Sequence, residues 1–316
     1  MSRVIREPVG SLQISQPAAK VVRKQDPPLL PLVGNGVRIL VLIACALFFG
    51  IPLLWLFLAP TKTNNDLFAL SPFAFGSFQN LATAWDHLLH YNNGEIIGWT
   101  INSAVYALGS LALTLLVSIP AGYALATIRF RGRYLILLAT LVVMILPGGA
   151  TVLPLFLEIN AFHLVNTALS VILPSAFFPF GVYLTYIYFA TSLPGDLLDA
   201  GRVDGCTEIE LFLRIALPLA RPIVSLVAFF SFVGSWNNYF LPFVMLTDDA
   251  KYNLPVGLAA LFSSSPGVHP AFATELQIFG PEEALAGVIV VLPILILFLF
   301  SQRALIAGMV EGTVKG

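Results

Sequence analysis

Residues Ser192 to Pro222 read SLPGDLLDAGRVDGCTEIELFLRIALPLARP. Pro194 suits the first turn of a helix, where its missing N–H costs nothing. Asp196 and Asp199 follow and place negative charge near the positive helix start. Leu197 and Ala200 share one face by their spacing of three, and Asp196, Asp199 and Arg202 share another. Gly205 can adopt the left-handed backbone that ends a helix. Thr207 and Glu210 form the T-x-x-E pattern of a capping box, which starts a second helix. Leu211 and Ile215, four apart, give that helix an apolar face. Pro218 is expected to stop it and Pro222 to open the next one. Two helices this short do not bury their apolar faces unaided, so the pair needs a groove on another body.

Outward from this hairpin the chain is strongly apolar. A bilayer core of about 30 Å requires roughly 20 apolar residues in a helix. Six segments qualify: Ile39–Ala59, Ile96–Ile128, Tyr134–Leu157, Thr167–Ser192, Pro222–Leu246 and Ala284–Phe300. Pro120, Pro147, Pro154, Pro174, Pro179 and Pro293 fall within them, with Gly148 and Gly149. A bundle tolerates such residues because neighbouring helices and water satisfy the freed carbonyls. Each is either a packing kink or a bend that shapes a pathway. The first run begins too far in, and is too long, for a cleaved signal peptide. The organisation expected is a mostly disordered tail over residues 1–36 and a transmembrane domain over 37–316, with the hairpin loop at about 193–221.

Composition agrees. Apolar residues make up 58% and charged residues 10% of 316, against about 25% charged in an average soluble domain. Lipid must cover much of the surface. A net charge of −1 selects no nucleic acid. Cys45 and Cys206 define neither a disulfide framework nor a metal site. His87 and His90 have the spacing of a metal pair but no third ligand nearby, and a surface helix before the membrane explains them. Fourteen of the sixteen Lys and Arg residues fall on the side that holds both termini and the hairpin; Lys62 and Lys251 are the exceptions. That side is assigned to the cytoplasm. The longer loops, Pro60–Glu95 and Thr247–Glu283, then face outward.

The hairpin resembles the loop of ABC-importer permease subunits, whose pattern is E-A-A, three residues, G, nine residues, I-x-L-P. Here it is Asp199-Ala200-Gly201, then Gly205, then Ile215, Leu217 and Pro218. It departs from the pattern in Asp for Glu and Gly for the second Ala. Similarity to the sugar-importer, maltose-type inner-membrane permeases extends to Asn102-Ser103, Tyr123-Ala124-Leu125-Ala126, Arg129-Phe130-Arg131-Gly132, Gly234-Ser235-Trp236-Asn237-Asn238 and Leu254-Pro255-Val256-Gly257-Leu258, and to the tail from Gly308 to Gly316. The resemblance implies an all-α polytopic fold with six transmembrane helices, the transmembrane domain of a type I ABC importer. It implies that Asp199, Ala200, Gly201, Asp204, Gly205, Glu208, Ile215, Leu217 and Pro218 dock in an ATPase subunit and transmit its closure. The tail, with Gly312, Lys315 and Gly316, would reach between the two ATPase subunits. Implied partners are a second permease, two cytoplasmic ATPase subunits, an extracytoplasmic solute-binding protein and a sugar substrate. The chain itself is expected to bind no cofactor or metal; ATP and Mg belong to the ATPase subunits.

Polar residues in membrane helices face the bundle interior or water. Candidates for a translocation pathway are Asn102, Ser103 and Tyr106 in the second segment and Ser231, Trp236, Asn237, Asn238 and Tyr239 in the fifth. Trp and Tyr can stack on sugar rings, and Asn both donates and accepts. Interhelical hydrogen bonding accounts for the same residues equally well. A secondary carrier or channel is the alternative function, but carriers place ionisable groups at membrane depth, and the segments contain none. An enzyme would need a nucleophile–base pair or metal ligands. The absence of G-x-x-x-x-G-K-[ST] means that the chain does not cradle ATP itself.

Overall fold

In a computed structural model, the structure describes residues 29–265 and 278–311. All regular structure among them is helical. The chain forms two compact units, one up to Pro52 and one from Leu53 onward. The first is the leading part of helix α1 (Leu29–Leu58), whose side chains from Asn35 to Leu54 are exposed, with Leu40 at 70% and Phe48 at 73%. Such a surface is stable only in lipid. The helix begins at Leu29, and its membrane-length apolar stretch runs over Asn35–Thr61.

In the second unit, α2 (Asn64–Ala69) and α3 (Phe78–His90) precede α4 (Glu95–Thr127). Helix α4 runs unbroken through Pro120, and its 33 residues measure about 50 Å, more than a bilayer core. The third apolar segment is not one rod. It is α5 (Arg133–Ile145) and α6 (Gly148–Ala161), bent by 111° at Pro147. Pro147 pushes Leu146 into extended backbone and ends α5 there. The fourth segment is α7 (Ala168–Ala176) and α8 (Pro179–Thr191), interrupted just before Pro179. The hairpin follows as α9 (Gly195–Val203) and α10 (Glu208–Leu219). Helix α11 (Arg221–Trp236) leaves at 80° to α10 and stops ten residues short of Leu246; α12 (Phe240–Met245) continues after a break at Asn237–Tyr239. Helices α13 (Leu254–Ser264) and α14 (Gly280–Glu311) complete the chain. Among the described residues, four helical stretches are long and apolar enough to cross a membrane, and up to six if each of the two bent pairs counts as one span.

Helix α4 is the spine. One of its faces carries Ser103, Ser110, Thr114, Ser118 and Gly122, all buried. Small side chains let backbones approach, and their hydroxyls reach carbonyls on the next helix. Ser110 Oγ bonds to the Ile172 carbonyl at 3.4 Å, Thr114 Oγ1 to the Ala176 carbonyl at 3.2 Å and Ser231 Oγ to Thr114 Oγ1 at 3.1 Å. Thr185 Oγ1 of α8 reaches the Ser118 carbonyl at 3.0 Å.

The segments at the other end of the bundle from the hairpin pack against one another. Leu88 and Ala84 of α3, Trp99 of α4, Leu254 and Leu261 of α13 and Leu285 of α14 form one buried cluster. His87 lies on this helix and bonds Glu282 at 2.8 Å, while His90 bonds its own helix at the Asp86 carbonyl. Lys62 is buried at 1% exposure, and its ammonium donates to the carbonyls of Ser71 and Pro72 at 2.9 and 3.1 Å.

Candidate functional site: the helical hairpin and the face beneath it

The hairpin is built by local chemistry. Helix α9 ends in a Schellman motif: Cys206 N–H bonds the Gly201 carbonyl at 2.9 Å and Gly205 N–H the Arg202 carbonyl at 3.1 Å. Gly205 sits at φ +81°, a conformation that L side chains resist. The Thr207–Glu210 capping box is present, with Glu210 Oε2 accepting from Thr207 N–H at 3.0 Å and Thr207 Oγ1 accepting from Glu210 N–H at 3.3 Å. Arg202 clips the two arms together. It donates from Nη1 to Asp199 at 2.8 Å and from Nε to Glu208 at 3.0 Å. These bonds raise its already high pKa further, the bond to Glu208 contributing most.

Hydrogen bonds from Thr207 backbone and hydroxyl, then the charge of Arg214, hold the Glu210 carboxyl below the ordinary glutamate range. A lowered carboxyl pKa contributes stability that is complete above the unfolded value and is lost as pH falls through the depressed one. Thr207→Ala is accordingly expected to raise the Glu210 pKa toward the ordinary value in a side-chain carbon NMR titration, with no effect of the box on pH dependence near neutrality.

The hairpin splits its faces between the rest of the chain and the outside. Leu198 and Gly201 are buried on α9, while Leu197 and Ala200 face outward. The reason is Gly201. A Cβ there would stand 2.5 Å from Leu211 Cδ2 and 3.2 Å from Ile215 Cδ1, so the glycine that departs from the E-A-A pattern lets α9 and α10 close on each other. Pro218 does not end the helix. Phe212–Ala216 form one wide π turn in which Leu217 N–H bonds the Phe212 carbonyl. This shift absorbs the N–H that Pro218 lacks, and the helix ends at Leu219.

Beneath the hairpin, Leu198, Leu211, Ala216 and Ala220 join Ile119 and Tyr123 of α4, Phe189 of α8 and Ile223 of α11 in one core. The Tyr123 ring meets Phe189 at 5.4 Å and Phe212 at 5.1 Å. Tyr188 of α8 donates its hydroxyl to the Leu219 carbonyl at 2.7 Å. A rigid displacement of the hairpin therefore pushes directly on α4 and α8. Sequence reading quoted Tyr123 only as part of a matching stretch and gave Arg202 no role. The helical repeat Ile119–Tyr123, meeting the end of α8, was the available signal. A cavity of about 620 Å³ opens beside the hairpin between Thr127, Arg129, Asp199, Arg202 and Glu208. On its outward side the hairpin leaves Leu197 (45%), Val203 (88%), Ile209 (71%) and Leu213 (52%) exposed. Asp204 is exposed beside them.

The pathway candidates separate into two groups. Asn102 Nδ2 donates to the carbonyls of Ala250 and Tyr252 at 2.9 and 3.0 Å, and Tyr106 to that of Lys251 at 2.8 Å. Ser103 Oγ accepts from Leu254 N–H at 2.7 Å. These three fasten residues 250–254 to α4. Trp236 Nε1 donates to the Val290 carbonyl at 3.0 Å, Ser231 bonds Thr114, and Asn238 Oδ1 accepts from Leu241 N–H at 3.4 Å. Asn237 and Tyr239 instead remain exposed at the break between α11 and α12, with Tyr239 stacked on Phe243 at 5.4 Å. Asn102→Ala is expected to speed amide hydrogen exchange at residues 249–254 by about tenfold, matching a loss of about 1–2 kcal/mol. The tail candidates Gly312, Lys315 and Gly316 lie outside the described residues.

Residues 118–311 match the family model described as "Binding-protein-dependent transport system inner membrane component". The chain is 36% identical over 227 residues to the arabinooligosaccharides transport system permease protein AraQ of Bacillus subtilis, covering 72% of this chain and 76% of that protein. It is 31% identical over 270 residues to the diacetylchitobiose uptake system permease protein NgcG of Streptomyces coelicolor, covering 84% of each. The trehalose transport system permease protein SugB of Mycobacterium tuberculosis is 28% identical over 272 residues, with 84% and 92% covered. In fold, the chain is similar to a chain from the crystal structure of a bacterial ABC transporter that imports the acidic polysaccharide alginate, with TM-score 0.71, 22% identity and coverage of 87% and 96%. With this match spanning the hairpin and the helices beneath it, the chain belongs to the family of binding-protein-dependent transport system inner membrane components, and is a multi-pass ABC-importer permease subunit.

Proposed function

We propose that this permease forms half of the translocation pathway for a sugar or oligosaccharide in the prokaryotic cell membrane, worked from the cytoplasm by separate ATPase subunits. A second permease completes the pathway, and an extracytoplasmic solute-binding protein delivers the substrate. The observation that carries this reading is the hairpin's division of faces. Its inner face is locked to α4 and α8, whereas its outer face leaves large apolar side chains exposed on an element of a few turns. Exposed apolar surface rimmed by charge marks a docking site, and fourteen of sixteen basic residues lie on the hairpin's side. Closure of the ATPase pair would press the hairpin and, through Tyr123, Phe189 and Phe212, tilt α4 and α8. The carbohydrate assignment is supported by relatives that bear the names of arabinooligosaccharide, diacetylchitobiose and trehalose systems. Asn237 and Tyr239 are the side chains best placed to meet a polar substrate. The test is reconstitution in proteoliposomes. Uptake of a labelled oligosaccharide must require ATP, the ATPase subunits and the binding protein together; uptake by this chain alone would overturn the reading.

A further inference from the structure

We propose that the loop between α4 and α5 is a binding site for the phosphate headgroup of an anionic phospholipid from the cytoplasmic leaflet. The reading rests on the orientation proposed above. Arg129, Arg131 and Arg133 stand on alternate residues and, with Phe130 and Tyr134, line a cavity of about 560 Å³. No carboxylate lines it, and among the described residues none of the three arginines forms an ion pair. Arg129 also borders the neighbouring cavity of Asp199, Arg202 and Glu208, but those three are already engaged with one another. Three guanidiniums with no carboxylate partner around one hollow offer a positive site for an anion, and their planar forks match phosphate oxygens.

The surroundings select a lipid phosphate over a soluble one. Helix α5 starts at Arg133 and buries none of its side chains. Tyr134 (74%), Leu135 (70%), Leu138 (57%) and Ile145 (82%) are all exposed, so the helix continues from the arginines as an acyl-chain-facing surface. Phe130 is 41% exposed, and the Arg133 guanidinium lies 5.1 Å over the Tyr134 ring. Aromatic rings beside cations at the end of an apolar helix mark the headgroup level. One diacyl phospholipid satisfies both parts: its phosphate fills the arginine hollow while its chains run along α5. Basic residues near a membrane surface each contribute about fivefold to anionic lipid binding. Three together give on the order of 100-fold preference over a zwitterionic lipid.

The test uses the full-length chain co-purified with its partner subunits and placed in nanodiscs of phosphatidylcholine with or without a minor fraction of phosphatidylglycerol. Native mass spectrometry reads the lipid retained. The wild type is expected to retain phosphatidylglycerol selectively, a variant carrying R129Q, R131Q and R133Q to lose that preference by on the order of 100-fold, and the corresponding triple lysine variant, which keeps the charge without the planar fork, to fall between the two. Equal retention of the two lipids by the wild type would overturn the proposal even if the glutamine variant failed to fold. Displacement of the lipid by an equal concentration of inorganic phosphate would overturn the lipid as the ligand. Labelling of Arg131→Cys by an impermeant maleimide from outside intact cells would refute the orientation, a result separable from the lipid preference.

Discussion

Gly205→Pro is expected to reduce ATP-driven uptake to background while the chain remains in the membrane at near wild-type level. Gly205 holds φ +81° and donates its N–H to the Arg202 carbonyl at 3.1 Å. Proline supplies φ near −65° and no N–H, so it fails both requirements. A local penalty of about 3 kcal/mol lowers the population of the correctly closed hairpin by on the order of 100-fold. The position itself has open space, since a Cβ there meets nothing within 4 Å. Backbone conformation alone therefore governs the result. Gly205→Asn, which tolerates the left-handed region, should retain most uptake, and Gly205→Val should resemble proline. Uptake and substrate-stimulated ATP hydrolysis, normalised to chain in the membrane, measure the series. Normal rates in the proline variant would remove the hairpin from coupling.

Gly122→Val is expected to abolish accumulation of folded chain by a different route. A Cβ at residue 122 would overlap the Thr185 side chain and stand 2.8 Å from the backbone nitrogen of Tyr186. A flexible side chain could yield, but a helix backbone yields only by moving α8 away from α4. That movement breaks the Thr185 contact with the Ser118 carbonyl and disturbs the Ile119, Tyr123 and Phe189 core beneath the hairpin. Overpacking costs about 1–3 kcal/mol where neighbours adjust, and a backbone neighbour places this case at or above the upper end. Gly234→Ala is the control, because a Cβ there meets nothing within 4 Å. Fluorescence-detected size-exclusion melting in detergent should show a large loss for Gly122→Val and little change for Gly234→Ala.

The hairpin was legible because its determinants are local. The Schellman glycine, the Thr207–Glu210 box and Pro222 act within a few residues, so their spacing carries the structure. Helical spacing groups Leu197 with Ala200 on one face of α9 but does not reveal which face meets a neighbour within the chain. Only the approach of Leu211 to Gly201 decides it. The apolar segments were found for the same reason that bilayer length constrains helices, yet the 111° bend at Pro147 and the break at Asn237–Tyr239 were not fixed by hydropathy. Apolar content is identical in a straight and a broken helix. Asn102, Ser103 and Tyr106 stood out as polar residues in an apolar run. Their partners, carbonyls and an N–H of residues 250–254, lie about 150 positions away in sequence and leave no local trace.

The account depends on a hairpin that faces the cytosol and is gripped there by a separate motor. Val203, 88% exposed, offers a direct reporter when replaced by cysteine in a chain whose Cys45 and Cys206 are serine. An impermeant maleimide should label Val203→Cys in inside-out vesicles and not in intact cells, and assembly with the ATPase subunits should protect it. Labelling from outside, or equal labelling with and without those subunits, would contradict the account.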